Sequence, residues 1–418
     1  MDGERMFSLV KKLDFVRLSG TQGEKRASEI IRAECERLGV NADTEPFTTL
    51  DGVVSETKLE VTAPYIKSYS AAGYLRSASI DAELPLVYAE DGLEGNLCDV
   101  RGKAIILNNP VNKKNYAALI KAAPACVLTG DGDCFDREDE SDLAPGMLRP
   151  SFADAFEERL CTVTLRKRDL FELISRGASS VRVKVVSRDT ENTSRNVTAF
   201  IPGGELPQEI ICFTAHMDSV RFSHGCYDNA SGSAIMLEIM RHFALNPPRR
   251  SMRFIWTGSE ERGLLGSRYY VEAHADEVAR TCLNINLDLA GCAAGHEFAI
   301  VTGPKELTAY FDEMMKREGF AVETKTDIYS SDCVSYADKG VPAISIGRAG
   351  ARGMSYIHDR RDTIDFVSAA ALKKTASIAY TFARQIDAAS EMPFERKIPE
   401  DIVKKIDEYL LRKETNKK

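Results

Sequence analysis

The chain has 418 residues, of which 44% are hydrophobic and 28% charged, and its formal net charge is −8 at pH 7. This length and composition predict a globular protein with more than one domain. The negative charge and the lack of a concentrated basic face argue against a nucleic-acid partner. No apolar run approaches the roughly 20 residues that a membrane helix requires, so we expect neither a membrane anchor nor membrane binding.

The sequence contains ten cysteines but no CxxC pair, and Cys212 and Cys282 lie in apolar runs of the kind that form strands. This placement predicts reduced thiols, mostly packed in the interior, rather than a disulfide framework. Charged residues interrupt the amino-terminal segment, which therefore does not resemble a secretion signal. We expect a cytoplasmic protein.

The first predicted element is an amphipathic helix near residues 27–38. Its apolar side chains recur at helical spacing, and Gly39 stands where a C-cap is expected. A strand is predicted at 45–49. Over residues 84–186 the pattern changes to short strands and two helical stretches, which predicts an inserted β-rich α/β domain. Its acidic segment 131–142 shows no periodicity and is predicted to be a solvated loop.

Strands and helices alternate after Asn196, and this rhythm predicts an α/β fold with a mixed, largely parallel sheet and helices on both faces. The tail has apolar residues at helical spacing from Ile402 to Leu410, which predicts a helix packed on the body or on a second subunit of a homo-oligomer. The predicted domains are a discontinuous main domain (1–83 and 187–390), the insert (84–186) and the tail helix (391–418).

Polar residues with metal-binding chemistry follow the predicted strands, where ligands bind in such sheets. His216 directly follows one strand, and the carboxylate of Asp218 could orient its imidazole on a metal, although such a pair also occurs by chance on surfaces. Asp228 precedes a helix that begins with small residues, so it could bridge two cations or cap the helix. For the cap, Ser231 is the better candidate.

Two adjacent acids, Glu260 and Glu261, follow the next strand. Two neighbouring carboxylates cannot both be buried without compensating cations, although an acidic helix start is the simpler alternative. In a two-metal hydrolase, one such acid binds metal and the other takes a proton from water. Asp288 ends a further strand and His358 lies in a later loop. The combined nitrogen and oxygen donors suit zinc or a similar divalent ion.

In this order the motifs resemble the zinc aminopeptidase family, which also contains glutamate carboxypeptidase, glutaminyl cyclase and the non-catalytic transferrin receptor. The resemblance runs from the first helix to about residue 388. It implies the zinc exopeptidase fold for the main domain, a protease-associated domain for the insert, and peptide substrates. It also implies two Zn²⁺ ions, or other divalent ions, held by five ligands: His216, Asp228, Glu261, Asp288 and His358.

The resemblance also implies individual roles. Asp228 would bridge the ions, Glu260 would be the general base and Asp218 would orient His216. Tyr356 resembles a tyrosine that stabilises the oxyanion in some relatives, but the spacing differs and a packing tyrosine is the alternative. Two further acids at family positions, Asp332 and Asp362, are equally explained by helix capping or by hydrogen bonds to ligands. The remaining histidines fit no ligand position: His224, His242, His274 and His296.

The expected activity is that of an aminopeptidase, which removes amino-terminal residues from peptides. A carboxypeptidase or dipeptidase of the same fold stays open, because Arg348 or Arg352 could bind a substrate carboxylate. A glutaminyl cyclase would need one working zinc and would not require the complete ligand set. A binding protein without catalysis is disfavoured, because all five ligand positions and the base are present.

Overall fold

The structure is a computed structural model that describes residues 1–137 and 142–412. It divides into two compact units, unit 1 (Met1–Thr48 and Thr193–Lys418) and unit 2 (Thr49–Asn192). Part of the predicted acidic loop and the last six residues of the tail lie outside the described residues. Among the described residues, no helix combines the length and apolar character needed to cross a bilayer.

The helices and strands alternate along unit 1 as predicted. The α-helices are α1 (Gly3–Lys12), α2 (Gln22–Arg37), α3 (Tyr116–Ala122), α4 (Pro150–Ala153), α5 (Lys167–Ser175), α6 (Ser231–Leu245), α7 (Leu265–Ala273), α8 (Ala275–Arg280), α9 (Lys305–Arg317), α10 (Cys333–Asp338), α11 (Ala369–Ala388) and α12 (Glu400–Tyr409). The strands are β1 (Ala42–Ala63), β2 (Lys67–Tyr69), β3 (Ala72–Gly73), β4 (Ile80–Tyr88), β5 (Ala104–Ile106), β6 (Cys126–Asp131), β7 (Thr162–Arg166), β8 (Ser180–Ile201), β9 (Leu206–His216), β10 (Arg250–Thr257), β11 (Thr281–Leu287), β12 (Gly295–Thr302), β13 (Glu323–Thr326) and β14 (Ala343–Gly350).

The sheet of unit 1 is mixed and largely parallel, which confirms the predicted fold class. Its strand order is β13-β12-β14-β11-β9-β10-β8. The central strands β14, β11, β9 and β10 are mutually parallel, whereas β8 and β12 pair with their neighbours in the antiparallel sense. The carboxyl ends of the four central strands therefore lie along one edge, where loops can bring side chains together.

Helices cover both faces of this sheet because successive strand residues point to opposite sides. On β10, Phe254 and Trp256 face the larger core with α1, α6, α9 and α11. The intervening Ile255 faces a second core with Tyr270 of α7 and Tyr336 of α10. The predicted tail helix is present as α12 and packs within unit 1 on α10.

Unit 2 begins at Thr49, whereas the predicted insert begins at residue 84. The physical reason is a shared core, because Leu59 and Val61 of β1 pack with Leu84 and Leu86 of β4. At the other end, the unit closes at Asn192 rather than at residue 186. Sequence patterning found the strands but not the packing that assigns residues 49–83 to this unit.

Candidate functional site

The side chains of the site lie at the carboxyl ends of neighbouring parallel strands. His216 ends β9 and pairs in register with Thr257 at the end of β10. Asp288 directly follows β11, and Glu260 and Glu261 follow β10 after a two-residue turn. These residues are therefore close together because of the sheet register, although they are distant in sequence.

Asp228 is the centre of the arrangement, because each of its carboxylate oxygens faces a different histidine. Its Oδ1 lies 3.0 Å from His216 Nε2, which is also 3.4 Å from Asp288 Oδ1. Its Oδ2 lies 3.2 Å from His358 Nε2, which is also 3.0 Å from Glu261 Oε2. Two groups of donors thus share one carboxylate. The structure brings together all five residues that the sequence predicted as ligands.

Asp218 connects two loops of the site. Its carboxylate accepts hydrogen bonds from the backbone N–H groups of Glu260 and Glu261, at 3.1 and 3.3 Å. Its Oδ1 also lies 3.6 Å from His216 Nδ1, and its backbone oxygen lies 3.2 Å from the same nitrogen. The side chain is fully buried. Asp218 can therefore fix the ring of His216 and the position of the two acids together.

The two further acids at family positions form hydrogen bonds inside the site. Asp362 accepts from the backbone N–H groups of Tyr227 and Asp228, at 2.7 and 3.0 Å. Asp332 accepts from the Thr257 hydroxyl at 2.5 Å and makes no side-chain cap on α10. Asp362 thus holds the turn that presents the shared carboxylate, whereas Asp332 supports the end of β10.

His358 reaches the site from the loop after β14. Its φ is +56°, a conformation that is uncommon for a residue other than glycine. Tyr356 in the same loop packs its ring 4.3 Å from the Arg361 guanidinium and 5.5 Å from the Phe366 ring. These contacts give Tyr356 a packing role. Its predicted role at the oxyanion stays a prediction.

The cluster holds more acid than its histidines neutralise. Burial raises the pKa of Glu260 well above its usual range. The positive charge of His216 opposes this shift only in part, and the negative charge of Glu261 adds to it. Burial and the charge of Asp228 also raise the pKa of Glu261. Burial disfavours the charged form of His358, but hydrogen bonds with Asp228 and Glu261 raise its pKa to about 11. Such a cluster is stabilised by a cation.

The donor set fits metal ions of the zinc class. Three groups each bring one donor atom per residue within 4.8 Å of the others. Two of them share Asp228, namely His216 with Asp228 and Asp288, and Asp228 with Glu261 and His358, and the third is His216 with Glu260 and Glu261. Imidazole nitrogens and carboxylate oxygens are the usual donors to zinc besides thiolates. Within the described part of the chain, the buried Asp288 Oδ1 accepts no hydrogen bond, so its lone pairs are available to a cation.

The other histidines of unit 1 belong to none of these groups. Each one pairs with a single acid elsewhere: His224 with Asp14, His242 with Glu238, His274 with Glu45 and His296 with Glu323.

A cavity of about 420 Å³ opens in unit 1 beside the cluster, and Tyr227 and Tyr329 line it. Sequence reasoning did not identify either tyrosine. Tyr227 donates to the backbone oxygen of Arg348 at 2.6 Å and accepts from the backbone N–H of Gly350 at 3.2 Å, so it ties the Asp228 turn to β14. In the sequence, Tyr227 directly precedes Asp228, and Tyr329 lies three residues before Asp332. These positions do not distinguish either residue from an ordinary packing tyrosine.

Glu24 is a fully buried acid whose carboxylate lies against Gly258, at the start of the loop that carries Glu260. It accepts hydrogen bonds from the Ser194 hydroxyl at 2.5 Å and from the backbone N–H of Gly20 at 2.9 Å. Burial raises its pKa to about 7, the charge of Asp218 adds to the shift, and the hydrogen bonds oppose it. In the folded protein it therefore keeps its proton to a higher pH than in the unfolded chain.

This shift predicts a loss of stability as the pH rises from about 4.5 to about 7, because the folded state binds the extra proton only in that window. Glu24→Gln should remove about 2 kcal/mol of the pH dependence between pH 5.5 and pH 8, at about 1.4 kcal/mol per pKa unit. The amide can still accept from Gly20, and the Ser194 hydroxyl can rotate to accept from it. Urea unfolding at pH 5.5 and 8 would measure the difference.

The matched control for Glu24 is Glu29→Gln on the exposed side of the same helix α2. This control should leave the pH dependence of the wild type unchanged. If Glu24→Gln also leaves it unchanged, Glu24 does not titrate in this window.

Comparison with known proteins places these features in a family. The model of peptidase family M28 matches residues 196–383. Aminopeptidase YwaD of Bacillus subtilis is 28% identical over 66% of this chain and 58% of its own length, so the chain spans less than two thirds of that relative. Leucine aminopeptidase 2 of Trichophyton equinum is 24% identical over 73% of this chain and 74% of its own length.

A solved structure has the same fold. The zinc aminopeptidase BSAP from Bacillus subtilis superposes with a TM-score of 0.77 at 22% identity, covering 96% of this chain and 98% of that one. The family match at 196–383 contains the strands β9, β10, β11 and β14 and every residue of the two donor groups. Sequence match, fold and site geometry thus agree that residues 196–383, which carry the site, are of the peptidase family M28 type.

Proposed function

We propose that the protein is a two-zinc aminopeptidase that hydrolyses the first peptide bond of substrates with a free amino terminus. The observation that carries this proposal is the shared carboxylate of Asp228, which presents one oxygen to each group of donors. Three donor residues per ion leave room for water or substrate, as catalytic sites require. The names of the relatives, zinc aminopeptidase and leucine aminopeptidase, support the same activity.

In this proposal His216, Asp228 and Asp288 hold one zinc ion, and Asp228, Glu261 and His358 hold the other. Bound zinc lowers the pKa of water towards neutrality and polarises a carbonyl group. Glu260 is in neither of the two groups that share Asp228, and its buried carboxylate lies next to His216 and Glu261 in the third group. It is placed to take a proton from water and to return it to the leaving amine.

The charges around the site favour an amino terminus over a carboxyl terminus as the recognised group. A positively charged α-amine complements a buried acidic cluster, whereas a substrate carboxylate needs an unengaged cation. Arg348 cannot supply one, because it forms an ion pair with the fully buried Glu297 at 2.7 Å and donates to the backbone oxygen of Cys292. Arg352 is exposed on the loop before His358. Arg352→Ala should leave hydrolysis unchanged.

A panel of substrates tests the proposed activity. Amino-acid p-nitroanilides should be hydrolysed in the presence of zinc, and the same anilides with an acetylated α-amine should not be. Treatment with a chelator should abolish the activity, and zinc should restore it. Equal hydrolysis of free and acetylated substrates, or full activity after metal removal, would contradict the proposal.

The cavity beside the cluster predicts a preference for large apolar first residues. Leu289, Phe298 and Ile300 line it with apolar surface. Each methylene group that enters such a pocket contributes about 1–3 kcal/mol to discrimination. We expect kcat/KM for leucine anilide to exceed that for alanine anilide at least tenfold. Phe298→Ala should reduce this ratio, whereas Phe171→Ala, at an exposed ring in unit 2, should not.

We also infer that unit 2 is a protease-associated domain and that the protein works in the cytoplasm. Support for the domain comes from its parallel strands β4, β5, β6 and β7 with the helices α3 and α5. Among the described residues, none of the potential metal ligands belongs to it. Support for the compartment comes from the cysteines, because all ten are free thiols and seven of them are buried.

A further inference from the structure

Arg17 is a buried cation that lies outside the segment matched by the family model. It stands between α1 and α2, and its side chain is fully buried. The loop between His216 and Asp228 contacts it, and we call residues 217–225 the ligand loop. Few arginines are fully buried without a specific partner, so its contacts require an explanation.

Among the residues that the structure describes, the guanidinium donates to backbone carbonyl groups alone. Its Nε donates to Met217 at 2.7 Å, and its Nη2 donates to Gly225 at 2.9 Å. These acceptors stand at the two ends of the ligand loop. The complete set of acceptors is Leu13, Phe15, Met217, His224 and Gly225.

The backbone of Arg17 binds Ser219, the third residue of the same loop. Its N–H donates to the Ser219 hydroxyl at 3.0 Å, and its carbonyl oxygen accepts from the Ser219 N–H at 3.2 Å. One residue thus holds the ligand loop at both ends through its side chain and at Ser219 through its backbone. A planar guanidinium with five donors in fixed directions can reach both ends of the loop at once, and a lysine ammonium cannot.

The packing at the end of the loop leaves little room for movement. A Cβ atom at Gly225 would lie 2.3 Å from the backbone oxygen of Asp228 and 3.0 Å from Arg17 Nη2. The φ of Gly225 is +59°, which glycine adopts without the strain of a side chain. Gly225 therefore packs closely against the backbone of Asp228 while its carbonyl oxygen accepts from Arg17.

The charge of Arg17 is not used in an ion pair with any described residue, since its nitrogens contact carbonyl groups alone. Asp218, Asp228 and Asp362 are near enough to interact with it electrostatically. Geometry and charge are thus two separable contributions of this side chain to the site.

We propose that Arg17 is a positioning residue of the metal site, which fixes the ligand loop and thereby the placement of His216 relative to Asp228. This inference rests on the proposed function. Residues that orient metal ligands typically change metal affinity by about 10- to 100-fold when they are replaced.

Arg17→Lys tests the geometry, because it keeps the positive charge and removes the planar fork. We expect the dissociation constant for zinc to rise about 10- to 100-fold, while saturating zinc restores most of kcat. Competition with a chromogenic chelator would measure the affinity of metal-stripped protein. The control is Arg26→Lys, at an exposed arginine on α2 that should leave zinc affinity unchanged.

If Arg17→Lys does not fold, Ser219→Ala removes the acceptor of the Arg17 N–H and leaves the guanidinium in place, and it should weaken zinc binding in the same direction. Unchanged zinc affinity in a folded variant overturns the inference, whatever happens to its thermal stability. A wild-type protein that binds no zinc would contradict the proposed function instead, so the two failures are distinguishable.

Discussion

Glu260→Gln should lower kcat by about 10²- to 10⁴-fold, the usual cost of losing a well-placed proton-transfer group. The amide keeps the size of the side chain but cannot accept a proton at neutral pH. Because Glu260 belongs to neither of the two groups that share Asp228, two zinc ions per chain should remain bound. Metal analysis of the purified variant and anilide kinetics would measure both quantities.

Glu261→Gln is the matched control for this prediction, because the two acids are adjacent and chemically alike. Glu261 lies 3.0 Å from His358 Nε2, so its replacement should weaken one zinc site. Added zinc should then recover part of the activity, which it cannot do for Glu260→Gln. The roles are reversed if Glu260→Gln loses metal while Glu261→Gln keeps both ions and loses only turnover.

Asp228→Ala should have the second large effect, which is loss of both zinc ions together with activity. The residue supplies one oxygen to each group of donors, so a single replacement removes a ligand from both. In the wild type, zinc at 100 times its dissociation constant should stabilise the fold by about 2.7 kcal/mol for each ion. In the variant, zinc should no longer raise the melting temperature.

A buried aspartate away from the site provides the control for this experiment. Asp387 is 3% exposed and accepts hydrogen bonds from the backbone N–H groups of Arg249 and Arg250, at the amino end of β10. Asp387→Ala should lower stability without changing the number of zinc ions. Asp228→Ala protein that still binds two ions would disprove the bridging role.

The elements of unit 1 were predictable because their signals are local. Helix α6 was predicted to follow Asp228 and begins there at Ser231, since small residues and helical periodicity come directly after that aspartate. The start of unit 2 was not predictable, because β1 is one continuous strand that carries no boundary signal at Thr49. Only the packing of Leu59 and Val61 on β4 assigns its second half to unit 2.

For the site, the predicted ligands are the residues whose chemistry is uncommon at a strand end. Acids and histidines that follow apolar strands, such as His216 and Asp288, can be recognised in a sequence as candidate metal ligands. Arg17 and Tyr227 do not, because a lone arginine and a lone tyrosine have many uses. Their roles depend on contacts with residues that are distant in sequence, such as Ser219 and Gly350, and no spacing pattern reveals such contacts.

The first and last residues of unit 2 are joined to each other, since the Thr49 hydroxyl donates to the Asn192 carbonyl at 3.4 Å. This closure has a consequence for biosynthesis. Arg17 leaves the ribosome long before Ser219, and an unfolded intervening chain would impose a large entropic cost on their meeting. Once unit 2 has folded, its two ends are adjacent, and the early segment is connected to the late one by a short effective loop. A nascent chain that still lacks His358 has no complete donor group at Asp228 Oδ2, so the donor set is completed last.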